Sequence, residues 1–307
     1  MLIFFYLFTV LLLVFVIGGI FFASKVIYPK VIPIERTYQI ELENNRFTED
    51  EYQKWSKEDF FLNSPFGYPI ACSFFPISDS SKTVVISHGI TFSRYGMVKY
   101  MPLFRKHGFN ILLYDLRNHG LSGGRNTTFG YYEKYDLQIL VDWAFQKSGA
   151  SGVVGTMGES LGAAVTLQHT SLDNRLAFAI ADCAYADLST LLEYRLKAEY
   201  RLPRFPLLNI AKLFCIIFAG LDFKKVSPIK CVEDVSTPIF WIHGQNDNYI
   251  PPRMSQDMFN AKKTGAKKIF IAPNAAHAES LIKNPGEYNR QIATFLTELH
   301  LTNLERD

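Results

Sequence analysis

Six short apolar runs recur along the chain: Thr83–Ser87, Ile111–Tyr114, Val153–Met157, Ala177–Ala181, Ile239–His243 and Lys268–Ala272. They are nearly continuous Val, Ile, Leu, Phe and Ala, the composition of strands covered on both faces in a parallel sheet. Between them the apolar spacing becomes helical. Leu137, Leu140, Val141 and Ala144 share one face ahead of Gly149, and Ile292, Phe295, Leu296 and Leu299 share another after Pro285. Alternation of this kind predicts a doubly wound α/β sheet. A further strand is expected in "YPIACSFFPI", separated from the first run by the turn-forming "SDSSK".

Residues 185–235 break the rhythm. They hold no strand pattern but two helical stretches, "LSTLLEYRLKAEY" and "PLLNIAKLFCIIFAG". A helical insertion over the sheet edge is expected, either a lid roofing an apolar pocket or additional core.

Residues 1–24 carry no charged side chain. As a helix they reach about 35 Å, enough to cross a hydrocarbon layer about 30 Å thick. A cleaved signal and a soluble core helix are the alternatives. Nothing basic precedes the run, and Phe21 stands at −3 to the best cleavage point, Ala23, so an uncleaved transmembrane anchor is expected. Lys25, Lys30 and Arg36 follow it, which predicts a cytoplasmic-facing remainder. Residues 25–59 read as a connecting segment with a short helix. Thr48 and Glu51 have capping-box spacing there, flanked by Phe47 and Tyr52 as a hydrophobic staple. Residues 60–307 form the main domain.

A net charge of +3 gives no polyanion signature, so no nucleic-acid partner is expected. Lys262, Lys263, Lys267 and Lys268 read as a solvated helix end rather than a lipid-headgroup contact. Cys72, Cys183, Cys215 and Cys231 lack metal or redox spacing; Cys183 and Cys215 lie in apolar surroundings, where buried free thiols fit a reducing compartment, with disulfides as the alternative.

The chemistry centres on "VVGTMGESLGAAV". A strand ends, Gly158-Glu159-Ser160-Leu161-Gly162 turns and a helix begins. Glycines let strand and helix approach while the tight turn lifts the serine hydroxyl clear. A serine needs a base to become nucleophilic. Of seven histidines, His277 in "APNAAHAES" follows the last strand and comes after a serine and an acid, with His119 in "DLRNHGLSGG" as the alternative. Asp247 in "WIHGQNDNYIPP" is the expected orienting acid, and Asp182 in "AIADCAY" is its rival. An oxyanion would be met by the backbone N–H of Leu161 and one from "HGITFS", Ile90 or else Thr91.

The ordered set "SHG", "YDLRNHGLS", "GESLG", "HGQNDNYIPP" and "NAAHAE" resembles the α/β-hydrolase superfamily, in particular bacterial membrane-anchored serine hydrolases of its esterase-like branch. The resemblance runs from about Phe60 to the C-terminus. It implies an eight-stranded, mostly parallel sheet with the insertion as a lid, a catalytic triad of Ser160, Asp247 and His277, and an oxyanion hole at Ile90 and Leu161. It further implies that Asp115, Arg117 and Ser122 organise a loop rather than react. The expected activity is hydrolysis of carboxylic esters or thioesters through an acyl-enzyme, on small-molecule esters or lipid-like substrates, with no cofactor and no metal. A peptidase or acyltransferase on the same residues is the alternative, and a non-catalytic binding module of this fold a more distant one.

Overall fold

The computed structural model describes residues 1–149 and 151–302. Its centre is one eight-stranded sheet. The strands are β1 (Glu58–Asn63), β2 (Pro69–Phe75), β3 (Lys82–Ser87), β4 (Phe109–Tyr114), β5 (Val153–Glu159), β6 (Phe178–Asp182), β7 (Ile239–Gly244) and β8 (Lys267–Ala272). They lie in the order β1-β2-β4-β3-β5-β6-β7-β8. Only β1–β2 and β2–β4 pair antiparallel; the pairs from β4 through β8 are parallel. This is the α/β-hydrolase fold.

The six apolar runs become β3 to β8, each within two residues of its expected ends, because each feeds two cores. Val84, Ile86, Met157, Ile180, Phe240 and Ile242 point to one face, while Val85, Val154, Ala179, Ala181 and Trp241 point to the other. The period-two alternation is therefore present but hidden, both sides being apolar. Strand β1 has no such signal in the sequence. It is an edge strand whose burial alternates between exposed and half-buried, and "EDFFLN" carries charge where the inner strands carry Val or Ile.

Helices α1 (Leu2–Ile27), α2 (Ile34–Glu43) and α3 (Glu49–Gln53) precede the sheet, and α4 (Met101–Arg105), α5 (Glu133–Ser148) and α6 (Leu161–His169) lie among its first six strands. The Thr48 hydroxyl accepts from the Glu51 N–H while the Glu51 carboxylate accepts from the Thr48 N–H, each at 3.2 Å, and the Phe47 and Tyr52 rings meet at 5.5 Å. Gly149 closes α5 with its N–H on the Phe145 carbonyl and φ of 79°. The interval between β6 and β7 holds helices and no strand: α7 (Leu188–Tyr200), α8 (Leu207–Ala219), a 3-10 turn Phe223–Lys225 and α9 (Pro228–Val232). Helices α10 (Arg253–Ala261), α11 (Ser280–Lys283) and α12 (Pro285–Glu298) complete the chain.

Three expectations change. Residues 25–59 hold two helices, α2 and α3, where one short helix was expected. The first helix runs through Lys25 to Ile27, past the end of the uncharged run, because Ala23 and Ile27 are fully buried against the domain. The lysine cluster is not a solvated helix end as a whole. Lys262 is only 2% exposed, and its Nζ donates to the carbonyls of Val235 at 2.6 Å and Thr237 at 2.9 Å. Burial, with Lys267 nearby, pulls its amine down to about 8.

Strand order reverses about β3, so the chain leaving β3 and the chain leaving β5 depart to opposite faces and open a crevice at the carboxyl edge. The turns after β5, β7 and β8 all reach that edge.

Candidate active site

Ser160 sits between β5 and α6 with φ of 56° and ψ of −114°, a positive-φ conformation uncommon for a residue with a side chain. The flanking glycines make it possible. A Cβ on Gly158 would lie 2.2 Å from the Gly162 carbonyl carbon, and one on Gly162 would lie 2.1 Å from the Ser87 carbonyl oxygen. The Ser160 N–H is held by the Asp182 carbonyl at 2.8 Å. Behind the turn, the Glu159 carboxylate takes Lys99 Nζ at 2.7 Å and the Tyr100 hydroxyl at 2.6 Å.

The structure brings Ser160, His277 and Asp247 into one hydrogen-bonded chain. Ser160 Oγ is 2.9 Å from His277 Nε2, and His277 Nδ1 is 2.7 Å from Asp247 Oδ2. The other carboxylate oxygen, Oδ1, accepts the N–H groups of Tyr249 and Ile250, each at 2.8 Å. Burial works to raise the Asp247 carboxyl, but the hydrogen bonds from His243 and His277 outweigh it and hold the group well below the usual carboxylate range. It is an anion facing an imidazole N–H.

His243, the last residue of the run Ile239–His243 and not among the histidines singled out in the sequence, is a member of this network. Its Nε2 faces two acceptors, Asp247 Oδ2 at 3.1 Å and the Ile250 carbonyl at 2.8 Å, so it carries a proton; Nδ1 meets the Ser255 hydroxyl at 2.7 Å. The i, i+4 spacing of His243 and Asp247 was the available signal. Tyr249 also joins the site, its ring 4.9 Å from that of His277 and capped by the Arg195 guanidinium at 3.9 Å.

The alternatives are engaged elsewhere. Asp182 accepts the hydroxyls of Tyr288 and Ser280 at 3.1 Å and of Tyr100 at 3.3 Å, and burial, reinforced by the Glu159 charge, pushes its carboxyl up to about 6. His119 Nε2 accepts the Thr91 N–H at 3.1 Å, and burial lowers this ring to about 3. That bond also occupies the Thr91 amide; Gly89, next to Ile90 in the same loop, approaches Ser160, since a Cβ on it would lie 3.6 Å from the Ser160 Cβ, and Leu161 begins α6 directly after Ser160. Asp115 accepts Arg94 Nη1 at 2.6 Å and the N–H groups of Arg94 and Leu121. Ser122 bridges the Asp115 carbonyl and the Ala71 N–H, while Arg117 holds Asn126. These three organise the loop after β4.

Residues 31–205 match the model of the X-Pro dipeptidyl-peptidase (S15) family, more than half of the chain and inclusive of Ser160. The chain belongs to this family. It is an α/β-hydrolase superfamily member and a hydrolase by kinship. It is 35% identical to the Bacillus subtilis protein YqkD over 284 residues, covering 92% of this chain and 93% of that one. Escherichia coli YfhR is 23% identical over 238 residues, 75% of each chain. Among solved structures, the Pyrococcus furiosus esterase Pf2001 superposes with a TM-score of 0.66 at 22% identity, covering 82% of this chain and 94% of that one. The Pyrococcus horikoshii acylaminoacyl peptidase gives 0.61 at 15%, covering 84% of this chain and 44% of its own. At such identities these two share the fold.

Proposed function

We propose that this S15-family member is a serine hydrolase that cleaves carboxylic esters or thioesters with apolar acyl groups through an acyl-enzyme. The observation that carries the reading is the Ser160–His277–Asp247 chain together with an apolar cavity that ends at Tyr249, the ring packed on His277. That cavity, about 210 Å³, includes Ile90, Leu192, Leu196 and Leu208 in its wall and reaches Tyr249. His277 Nε2 takes the Ser160 proton as Oγ attacks the carbonyl carbon, and the N–H groups of Leu161 and Ile90 receive the oxyanion. The imidazolium then returns its proton to the departing alkoxide or thiolate. Water, deprotonated by the same nitrogen, releases the acid and restores Ser160. Asp247 stays ionised throughout and holds Nδ1–H.

The family name favours a second reading, a dipeptidyl peptidase. Such an enzyme must neutralise a free amino terminus, and the cavity offers poor means: its one carboxylate, Glu199, is already bonded to Arg195, and Lys25 adds a further positive charge. A panel of p-nitrophenyl esters, acyl thioesters and X-Pro p-nitroanilides, run on wild type and Ser160→Ala, separates the two. The ester reading requires Ser160-dependent turnover of esters or thioesters well above that of the anilides; the reverse order rejects it.

The same reading places the protein at a membrane, with α1 as an uncleaved anchor. Leu2 to Ile17 projects almost wholly exposed. That stretch rises only about 24 Å, some 6 Å short of a hydrocarbon core. Leu213, Ile217 and Phe218 on α8 are more than half exposed and supply apolar surface beside α1, so the domain would ride in the interface. Lys25, Lys30 and Arg36 favour a cytoplasmic-facing domain. Protease accessibility in sealed vesicles of known sidedness checks this, and digestion only from the opposite face rejects it.

A further inference from the structure

The C-terminal turns of α1 do more than connect an anchor to a domain. Ala23 and Ile27 are fully buried. The Ala23 carbonyl receives the Cys215 thiol at 3.8 Å, the Ile27 carbonyl accepts the Thr127 N–H at 2.9 Å, and the Phe22 ring packs edge-on to Tyr200 at 4.9 Å. The approach to α8 depends on a missing side chain, since a Cβ on Gly19 would lie 2.3 Å from Ile210 Cγ2. One segment is thereby clamped against α7, α8 and the main domain at once.

This clamp completes the apolar cavity. Phe22 and Val26 of α1 line it together with Leu192 and Leu196 of α7 and Leu208 of α8, and the same space runs to Ile90 and to Tyr249, whose ring stands 4.9 Å from that of His277. Lys25, Arg195 and Glu199 are the charged residues on its lining.

Resting on the reading of Ser160 as the nucleophile, we propose that Phe22 and Val26 form a wall of the acyl-binding site and set the length of acyl chain the enzyme accepts. The helix that anchors the protein is then also part of its specificity. Removal of α1 at a cleavage point near Ala23 would take Phe22 away and open the cavity to solvent, so the substrate site exists only in the uncleaved chain.

The test uses the full-length, detergent-solubilised protein and p-nitrophenyl esters from acetate to decanoate. The readout is the ratio of kcat/KM for decanoate to that for acetate. Val26→Phe fills the cavity and lowers this ratio at least about tenfold, the loss expected when room for a methylene or more disappears. Phe22→Ala enlarges it and moves the ratio the other way. Opposite signs in two variants separate a shaped wall from general damage, and Leu11→Ala, on the exposed part of α1, keeps the wild-type ratio. Wild-type turnover of esters with ratios within twofold in both wall variants overturns the wall alone. No turnover of any ester by wild type overturns the reading of the site and this inference together.

Discussion

Gly162→Ala is the substitution whose consequence follows most directly from the geometry. A methyl group there would stand 2.1 Å from the Ser87 carbonyl oxygen and 2.4 Å from its carbon. Both are backbone atoms at the end of β3, and no rotamer change moves them away. Ordinary contact needs about 1 Å more, so α6 and the β3 terminus must separate by that distance. The loop carrying Ile90 starts from that terminus, and Leu161 opens α6, so the two oxyanion donors move apart. A misplacement of about 1 Å costs on the order of 10²-fold in rate, near 2.7 kcal/mol of transition-state stabilisation. Overpacking adds about 1–3 kcal/mol of lost folding stability. The assay pairs kcat/KM on a short ester with thermal unfolding by circular dichroism. The expectation is an approximately hundredfold fall in kcat/KM alongside a melting temperature lower by several degrees. A variant within twofold of wild type in rate, with unchanged melting, refutes the close-approach argument.

Three further outcomes are expected. Asp247→Asn lowers kcat by about 10⁴-fold, because the amide no longer holds Nδ1–H against His277; a loss below tenfold in steady-state kinetics removes Asp247 from its role. Asp115→Ala leaves the Arg94 guanidinium buried beside no carboxylate, both side chains being less than 10% exposed, and costs about 3–5 kcal/mol in denaturant unfolding; a cost under 1 kcal/mol rejects its part in organising the loop. For Lys262 the folded amine is lowered to about 8 from 10.5. Between those values the unfolded chain binds the proton that the folded chain has released, so stability rises with pH. The wild-type melting temperature should therefore climb relative to that of Lys262→Met between pH 8 and about 9.5, and parallel curves contradict the shift.

What the sequence made legible and what it concealed divide along physical lines. Strands β3 to β7 could be read because a strand covered on both faces must be apolar at nearly every position, and β8, though at the other edge, keeps an apolar run because Ile269 and Phe270 still pack on the two cores. The edge strand β1 could not, since one side of it meets water. Ser160, Asp247 and His277 were named from where they stand, each in a turn leaving the carboxyl end of a strand, and the structure places their side chains within hydrogen-bonding distance. His243 was passed over because its role depends on facing Asp247 and Ser255 at once, a three-dimensional condition. Lys262 misled for a related reason: two carbonyls from the segment before β7 satisfy a charge that composition alone assigns to water. The seam between α1 and α8 was the hardest to see. A helix apolar all round offers no face to read, so nothing in its hydropathy distinguishes the docked turns from the projecting ones.

The proposed reaction depends on Ser160 being a nucleophile made reactive by His277. Its most direct measurement is treatment of the full-length protein with a fluorophosphonate, followed by peptide mass mapping. One phosphonyl group is expected on Ser160, absent in Ser160→Ala and formed far more slowly in His277→Ala. An unmodified Ser160, or labelling that proceeds equally fast without His277, would contradict it.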